Sequence, residues 1–216
     1  MPRPVIYYVR HGLTDWNLER RLQGRRDIPL NLRGRAQALR CGEILRELFS
    51  RDSRPPASFR YVSSPLIRAR ATMELMRSAL GLAPAQYDVD ERLAELSFGE
   101  WEGLTYADIC ARGGDVIVER EWDKWAFVPP AGESYAQLTQ RIGEWLGTVQ
   151  EDTVVSAHGG TARALIAYFS LVSKEDAPRY SIDQGVVYVF AGRHMARYTS
   201  LRSPPGGTQI DRAHVV

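Results

Sequence analysis

Only two cysteines, Cys41 and Cys110, occur in the 216 residues. They share no short spacing, so neither a disulfide framework nor a zinc knuckle can be built from them, and a reducing compartment is expected. Long hydrophobic runs are also missing. The N-terminal apolar stretch reaches only from Val5 to Val9 before Arg10, too short for a secretory signal, and nothing approaches the roughly 18 uncharged residues of a membrane span. Neither charge dominates: the formal net charge is +2, which gives no global pull toward nucleic acid or membrane. A soluble, cytoplasmic protein is expected. Several phosphate-handling signatures are absent too. There is no G-x-x-x-x-G-K-[ST] loop and no G-x-S-x-G elbow. A Cys-x5-Arg loop fails at both cysteines, where the sixth residue onward is Glu47 or Val116. Asp88-Val89-Asp90 imitates an aspartyl-phosphate motif, but no apolar strand leads into it, and it reads as a loop.

What is present suits one sizeable core. Apolar residues make up 44% of the chain, and the length predicts one domain with an insertion. Pro4–Val9 reads as a buried strand that breaks at His11-Gly12. Ala38, Cys41, Leu45 and Leu48 form a helical stripe. Phe59–Ser63 is strand-prone, and Pro65 opens a helix that runs to Gly81. The pattern weakens between residues 96 and 133, predicting a lid-like insertion over one end of the core. Ser134 caps a helix through Leu138, Ile142, Trp145 and Val149. Thr153–Ala157 is a second buried strand that breaks at His158-Gly159-Gly160, and a helix follows. Gly185–Ala191 and His194–Thr199 read as strands joined at Gly192. Residues 1–202 would form the domain and 203–216 a loose tail. The alternation of strand and helix predicts an α/β fold, a three-layer α/β/α sandwich with a mostly parallel central sheet.

In such folds ligands bind beyond the carboxyl ends of strands. Two of the four histidines, His11 and His158, stand at strand-to-glycine junctions, which parallel strands would bring to the same side of the sheet. Glycine after each histidine lets a ligand approach the backbone. Metal binding is rejected, because Arg10 and Arg163 lie nearby in sequence and no H-E-x-x-H or H-x-H spacing exists. Guanidinium groups beside histidines suit an anion such as phosphate instead.

At these residues the chain resembles the histidine phosphatase superfamily, the phosphoglycerate-mutase-like proteins. Arg10-His11-Gly12-Leu13-Thr14-Asp15-Trp16-Asn17, followed by Gln23-Gly24 and Pro29-Leu30, is similar to the family's first signature. Leu13 stands where Glu is often found. Ser63 to Thr72 resembles the second motif, Glu95 to Gly103 the third, and Ser156 to Gly160 the fourth. The four occur in family order over about residues 5 to 190. The resemblance implies the phosphoglycerate-mutase-like sandwich and a reaction that needs no metal or other cofactor. It makes His11 the nucleophile that takes the phosphoryl group. Arg10, Arg68 and His158 would hold its oxygens, with Asn17 and the Gly159 amide as lesser donors, and Glu95 would be the general acid and base. The chemistry of these residue types agrees. Histidine is nucleophilic only when neutral, and nearby cations keep it so. Each charge pair at about 4 Å gives roughly 4 kcal/mol before desolvation at an effective dielectric near 20.

Residues 104–133 hold Arg112, Arg120 and Lys124 against six acidic residues. This acidic, aromatic lid is expected to disfavour a second small anion and to suit a larger or apolar alcohol. Gln23, Gly24, Trp122 and Trp125 are candidate pocket residues. Arg163 is expected to be structural or at the pocket edge. Six arginines against Glu19 and Asp27 over residues 18 to 35 would draw anionic substrates in. The expected activity is that of a phosphomonoesterase on a small phosphorylated metabolite, Pro129–Ser134 also resembling the phosphatase branch. A phosphoglycerate mutase is the alternative and a non-catalytic phosphate-binding module the third. No nucleic-acid or membrane partner is expected, and a homodimer through a sheet edge or helix face is compatible with the sequence.

Overall fold

Strand β1 (Ile6–Arg10) is buried on both faces, and its side chains divide by the two-residue period of a strand. Ile6 and Tyr8 belong to one apolar cluster, Tyr7 and Val9 to another. In the computed structural model, which describes residues 4–113 and 115–199, β1 is the centre of a six-stranded sheet. The others are β2 (Arg60–Ser63), β3 (Asp88–Val89), β4 (Thr153–Ala157), β5 (Val187–Ala191) and β6 (His194–Tyr198), in the order β3-β2-β4-β1-β5-β6. The first four pair in parallel, whereas β5 runs antiparallel to both β1 and β6. The sheet is therefore mixed, with its parallel part where the two His-Gly junctions lie.

Seven α-helices appear among the described residues: α1 (Asp15–Leu18), α2 (Leu32–Arg51), α3 (Ile67–Ala79), α4 (Tyr106–Ala111), α5 (Val116–Trp122), α6 (Tyr135–Leu146) and α7 (Gly159–Tyr168). Cys41, Leu45 and Phe49 of α2 and Met73 and Met76 of α3 cover Tyr7, Val9 and Val154 on one face. Leu138, Ile142 and Trp145 of α6 and Leu165 and Ile166 of α7 cover Tyr8, Val155 and Tyr188 on the other. This is the three-layer α/β/α sandwich. Each large apolar side chain buried this way contributes about 1.5–3 kcal/mol.

Local signals set the helix starts. Ser134 accepts from Gln137 N–H while the Gln137 side chain reaches back to Ser134 N, a capping box. Thr105 and Asp108 do the same for α4. One expectation is corrected: Asp88-Val89 is not loop but a two-residue edge strand, paired with Val62 and Ser63. The 203–216 tail lies outside the described residues.

After β1 the chain crosses to α2 on one face, and after β4 to α7 on the other. The carboxyl ends of β1 and β4 therefore flank the point where the helices part, the crevice in which open α/β sheets bind ligands.

Candidate active site

The register places Arg10 opposite Ala157, and His11 N donates to Ala157 O at 2.8 Å. One residue later on each strand, the rings of His11 and His158 lie with centroids 5.2 Å apart. Gly12 lets this loop press against α2, since a Cβ there would fall 2.1 Å from Gly34 O.

His11 Nδ1 is 2.8 Å from Gly12 O. A carbonyl only accepts, so Nδ1 carries the proton and the lone pair resides on Nε2. Burial, then the charges of Arg68 and Arg10, push the His11 pKa well below 6.5. His158 is lowered likewise by burial, Arg68, His11 and Arg10. Both rings are neutral at pH 7. His158 Nε2 lies 2.6 Å from Ser64 Oγ, which already accepts from Leu66 N–H. The Ser64 oxygen has a second lone pair and a proton of its own, so it holds the ring at Nε2 in either neutral tautomer. Backbone contacts fix the ring further, because His158 N donates to Tyr8 Oη and Thr161 Oγ1.

Arg68 is buried on α3, and its Nη groups donate to Arg26 O and Gly24 O at 2.6 and 2.7 Å. Burial lowers its pKa to about 10, so it remains a guanidinium. Arg10 Nη1 donates to Ile182 O at 2.7 Å, and burial followed by the charge of Arg163 lowers its pKa. Arg10 Nε, Arg68 Nε and His158 Nδ1 are buried without hydrogen-bond partners among the described residues. Two charged N–H donors and one ring nitrogen are thus withheld from water beside His11, whose pKa both arginines lower. Each unmet donor costs about 1–3 kcal/mol, more when charged, a penalty that a bound oxyanion removes.

Glu95 Oε1 accepts from Leu96 N at 2.9 Å and Oε2 from Gly160 N at 3.2 Å. Gly159, the first residue of α7, lies where a Cβ would sit 3.5 Å from Arg10 Nε and 3.4 Å from Arg163 Nη1. Arg163 is held by Tyr180 O and Tyr135 Oη. Asn17 Oδ1 accepts from Thr14 N and Gln184 Nε2, and Gln184 also donates to His11 O. Gln184, Ser64 and Tyr8 stood out from no spacing rule, because each works through the backbone or ring of a histidine distant in sequence. Gln23 is buried with Oε1 unpartnered, and its neighbour Gly24 supplies the carbonyl that holds Arg68. Trp122 is 91% exposed, whereas Trp125 packs against the main core. The lid's charges are also sorted: Arg120 is buried, while Glu119, Glu121 and Asp123 are exposed.

Among the described residues, no group of three or more His, Cys, Asp or Glu side chains could hold a metal ion, and no helix is long and apolar enough to cross a membrane. The sequence profile of the histidine phosphatase superfamily (branch 1) matches residues 6–200. The chain belongs to this superfamily. It is similar to glucosyl-3-phosphoglycerate phosphatase of Mycobacterium tuberculosis, 37% identical over 75% of this chain and 73% of that one. It is also similar to a 2,3-bisphosphoglycerate-dependent phosphoglycerate mutase of Gloeobacter violaceus, 29% identical over 93% and 91%. The native structure of the mycobacterial glucosyl-3-phosphoglycerate phosphatase superposes with a TM-score of 0.69 at 28% identity, covering 87% of this chain and 89% of its own. Superfamily relatives thus include phosphatases and mutases that share this fold.

Proposed function

We propose that the protein hydrolyses a small phosphomonoester, without a metal, through a phosphohistidine formed on His11. The observation that carries this reading is the set of buried, unpartnered nitrogens of Arg10, Arg68 and His158 beside a neutral His11 whose Nε2 is free. In the first step the Nε2 lone pair attacks phosphorus, the N–P bond forms, and the ester P–O bond breaks. The departing alkoxide takes a proton from Glu95. Arg10 and Arg68 neutralise the phosphoryl oxygens, while the neutral His158 ring, the Gly159 amide and the Asn17 amide group hold them by hydrogen bonds. Phosphoryl transfer is mostly positioning and charge stabilisation, so these groups dominate the rate. In the second step Glu95 takes a proton from water, the water oxygen attacks phosphorus, and the P–N bond breaks to free phosphate and restore Nε2.

Hydrolysis is favoured over phosphoryl return to a second acceptor by the likeness to a phosphatase at 37% identity. A mutase is the second reading, supported by the broader match to a phosphoglycerate mutase. The test is phosphate release from p-nitrophenyl phosphate and a panel of metabolites, 3-phosphoglycerate included, in EDTA. Turnover in EDTA is expected. If no compound releases phosphate while 3-phosphoglycerate is isomerised with a bisphosphate primer, the protein is a mutase.

A further inference from the structure

Glu102 takes no part in the chemistry above, yet its carboxylate is drawn into the molecule, with the side chain only 11% exposed. Its Oε1 accepts from Arg25 N at 3.0 Å and from Phe98 N at 3.2 Å, with Ser97 Oγ at 3.5 Å, while Oε2 lies 3.9 Å from Arg26 Nε. One carboxylate thus joins two segments that are distant in sequence.

The first segment aims Arg68. Gly24 O and Arg26 O, the carbonyls that take the Arg68 Nη groups, flank the Arg25 amide that Glu102 holds. Asp27 Oδ1 accepts from Ile67 N, one residue before Arg68. Backbone bonds from this segment to residues 103 and 104 reach no further than Leu22. The half-exposed Arg25 side chain adds only a 3.5 Å contact with Glu133. Gly24 is needed for the fit, because its φ is +50° and a Cβ there would fall 2.0 Å from Glu102 Oε1. The second segment carries Glu95, which Ser97 and Phe98 closely follow. Burial lowers the Arg68 pKa, and Glu102 is among the carboxylates, after Glu95 and Asp27, whose charges oppose that shift.

We propose that Glu102 is a positioning residue for the phosphate clamp: by holding the Arg25 amide it fixes the Gly24 and Arg26 carbonyls, and through them the Arg68 guanidinium, against the segment that carries Glu95. The proposal rests on the reading above in which Arg68 holds the phosphoryl group. Without the carboxylate, two backbone N–H groups lose their acceptor, and the loop must shift to find others. Arg68 moves with it, and phosphoryl transfer depends on the position of such groups.

The test follows binding of inorganic phosphate by calorimetry, beside turnover of one alkyl and one aryl phosphate. Glu102→Ala should weaken phosphate binding about tenfold, the scale of one lost hydrogen bond that serves a charged group. In an Arg68→Met background the same change should weaken it less than about twofold, because the group it positions is gone. Turnover in Glu102→Ala should fall by the same factor on both esters, since the clamp serves both. Glu102→Gln keeps an acceptor oxygen for Arg25 and Phe98 and should recover most of the lost affinity. A loss of similar size with and without Arg68 would overturn the proposal, as would a Glu102→Gln protein no better than Glu102→Ala. Alkyl esters lost far more than aryl esters in Glu102→Gln would overturn it too, by making Glu102 the acid. Should Glu102→Ala not melt cooperatively, Glu102→Asp, whose carboxylate is withdrawn by one methylene, is read by the same criteria. Binding needs no turnover, so a wild type that binds phosphate without hydrolysing either ester would sink the phosphomonoesterase reading alone, and the calorimetric comparison still decides the role of Glu102.

Discussion

The Glu95 carboxylate and the Gly160 amide are joined by a 3.2 Å hydrogen bond, so the group proposed as acid and base is fastened to the helix that follows His158. A Cβ at Gly160 would lie 2.3 Å from Glu95 Oε1. Gly160→Ala should therefore push the carboxylate away and slow esters with poor leaving groups by one to two orders of magnitude, within the range credited to acid catalysis. Glu95→Gln should show the same selectivity. Aryl phosphates, whose leaving groups need less protonation, should suffer much less. Equal losses on alkyl and aryl esters would move the acid role to another carboxylate.

Replacement of the nucleophile has a sharper signature. His11→Ala should lower turnover by about 10⁴-fold or more while far-ultraviolet circular dichroism stays that of wild type. Rapid quench of wild type with a radiolabelled ester should trap an acid-labile label that is absent from the variant. Label on a residue other than His11 would refute the assignment.

The two neutral histidines give a pH dependence with a definite sign. Their folded pKa values lie well below 6.5, whereas in the unfolded chain they titrate near 6.5. Below that pH the unfolded state binds protons that the folded state refuses, so stability falls as pH drops, by about 1.4 kcal/mol per pH unit for each ring. Above pH 7 the two states bind equally and this contribution is flat. Urea unfolding between pH 5 and 8 measures it. The acid limb of kcat/KM should likewise lie well below 6.5. It should move upward in Arg68→Met, which removes a cation that helps keep His11 neutral.

Arg10 is a buried cation whose Nε awaits a partner and whose neighbour Arg163 repels it. Arg10→Met should raise the stability of the ligand-free protein by about 1 kcal/mol, because apolar packing replaces an uncompensated buried charge. The same variant should lose the stabilisation that inorganic phosphate gives wild type, about 2.7 kcal/mol at 100 times its Kd. Thermal scans with and without phosphate test both halves. A destabilised variant that still responds to phosphate would contradict them.

The layers and the two histidine junctions were legible in the sequence because they follow from local pattern. Apolar runs ending at Arg10-His11 and Ala157-His158 mark strands that stop at the crevice, and Ser134 marks a helix start. Other features depend on partners distant in sequence. Asp88-Val89 becomes a strand only because Val62 and Ser63 offer an edge. Arg68 is aimed by the carbonyls of Gly24 and Arg26, which no spacing rule connects to it. The lid's charge count likewise says nothing about which side chain α5 buries, and that one is Arg120.

The position of β1 has a consequence for how the protein comes into being. This strand is synthesised well before both of its neighbours, β4 and β5, which begin only at Thr153 and Val187. Tyr8 and His158, joined by hydrogen bonds, are 150 positions apart. A nascent chain that has not yet reached residue 190 leaves at least one edge of this buried strand open. Such long-range pairing folds slowly and exposes a sticky intermediate. Chaperone demand should therefore build until β5 emerges and then fall abruptly, when the crevice between the two histidines closes into its working shape.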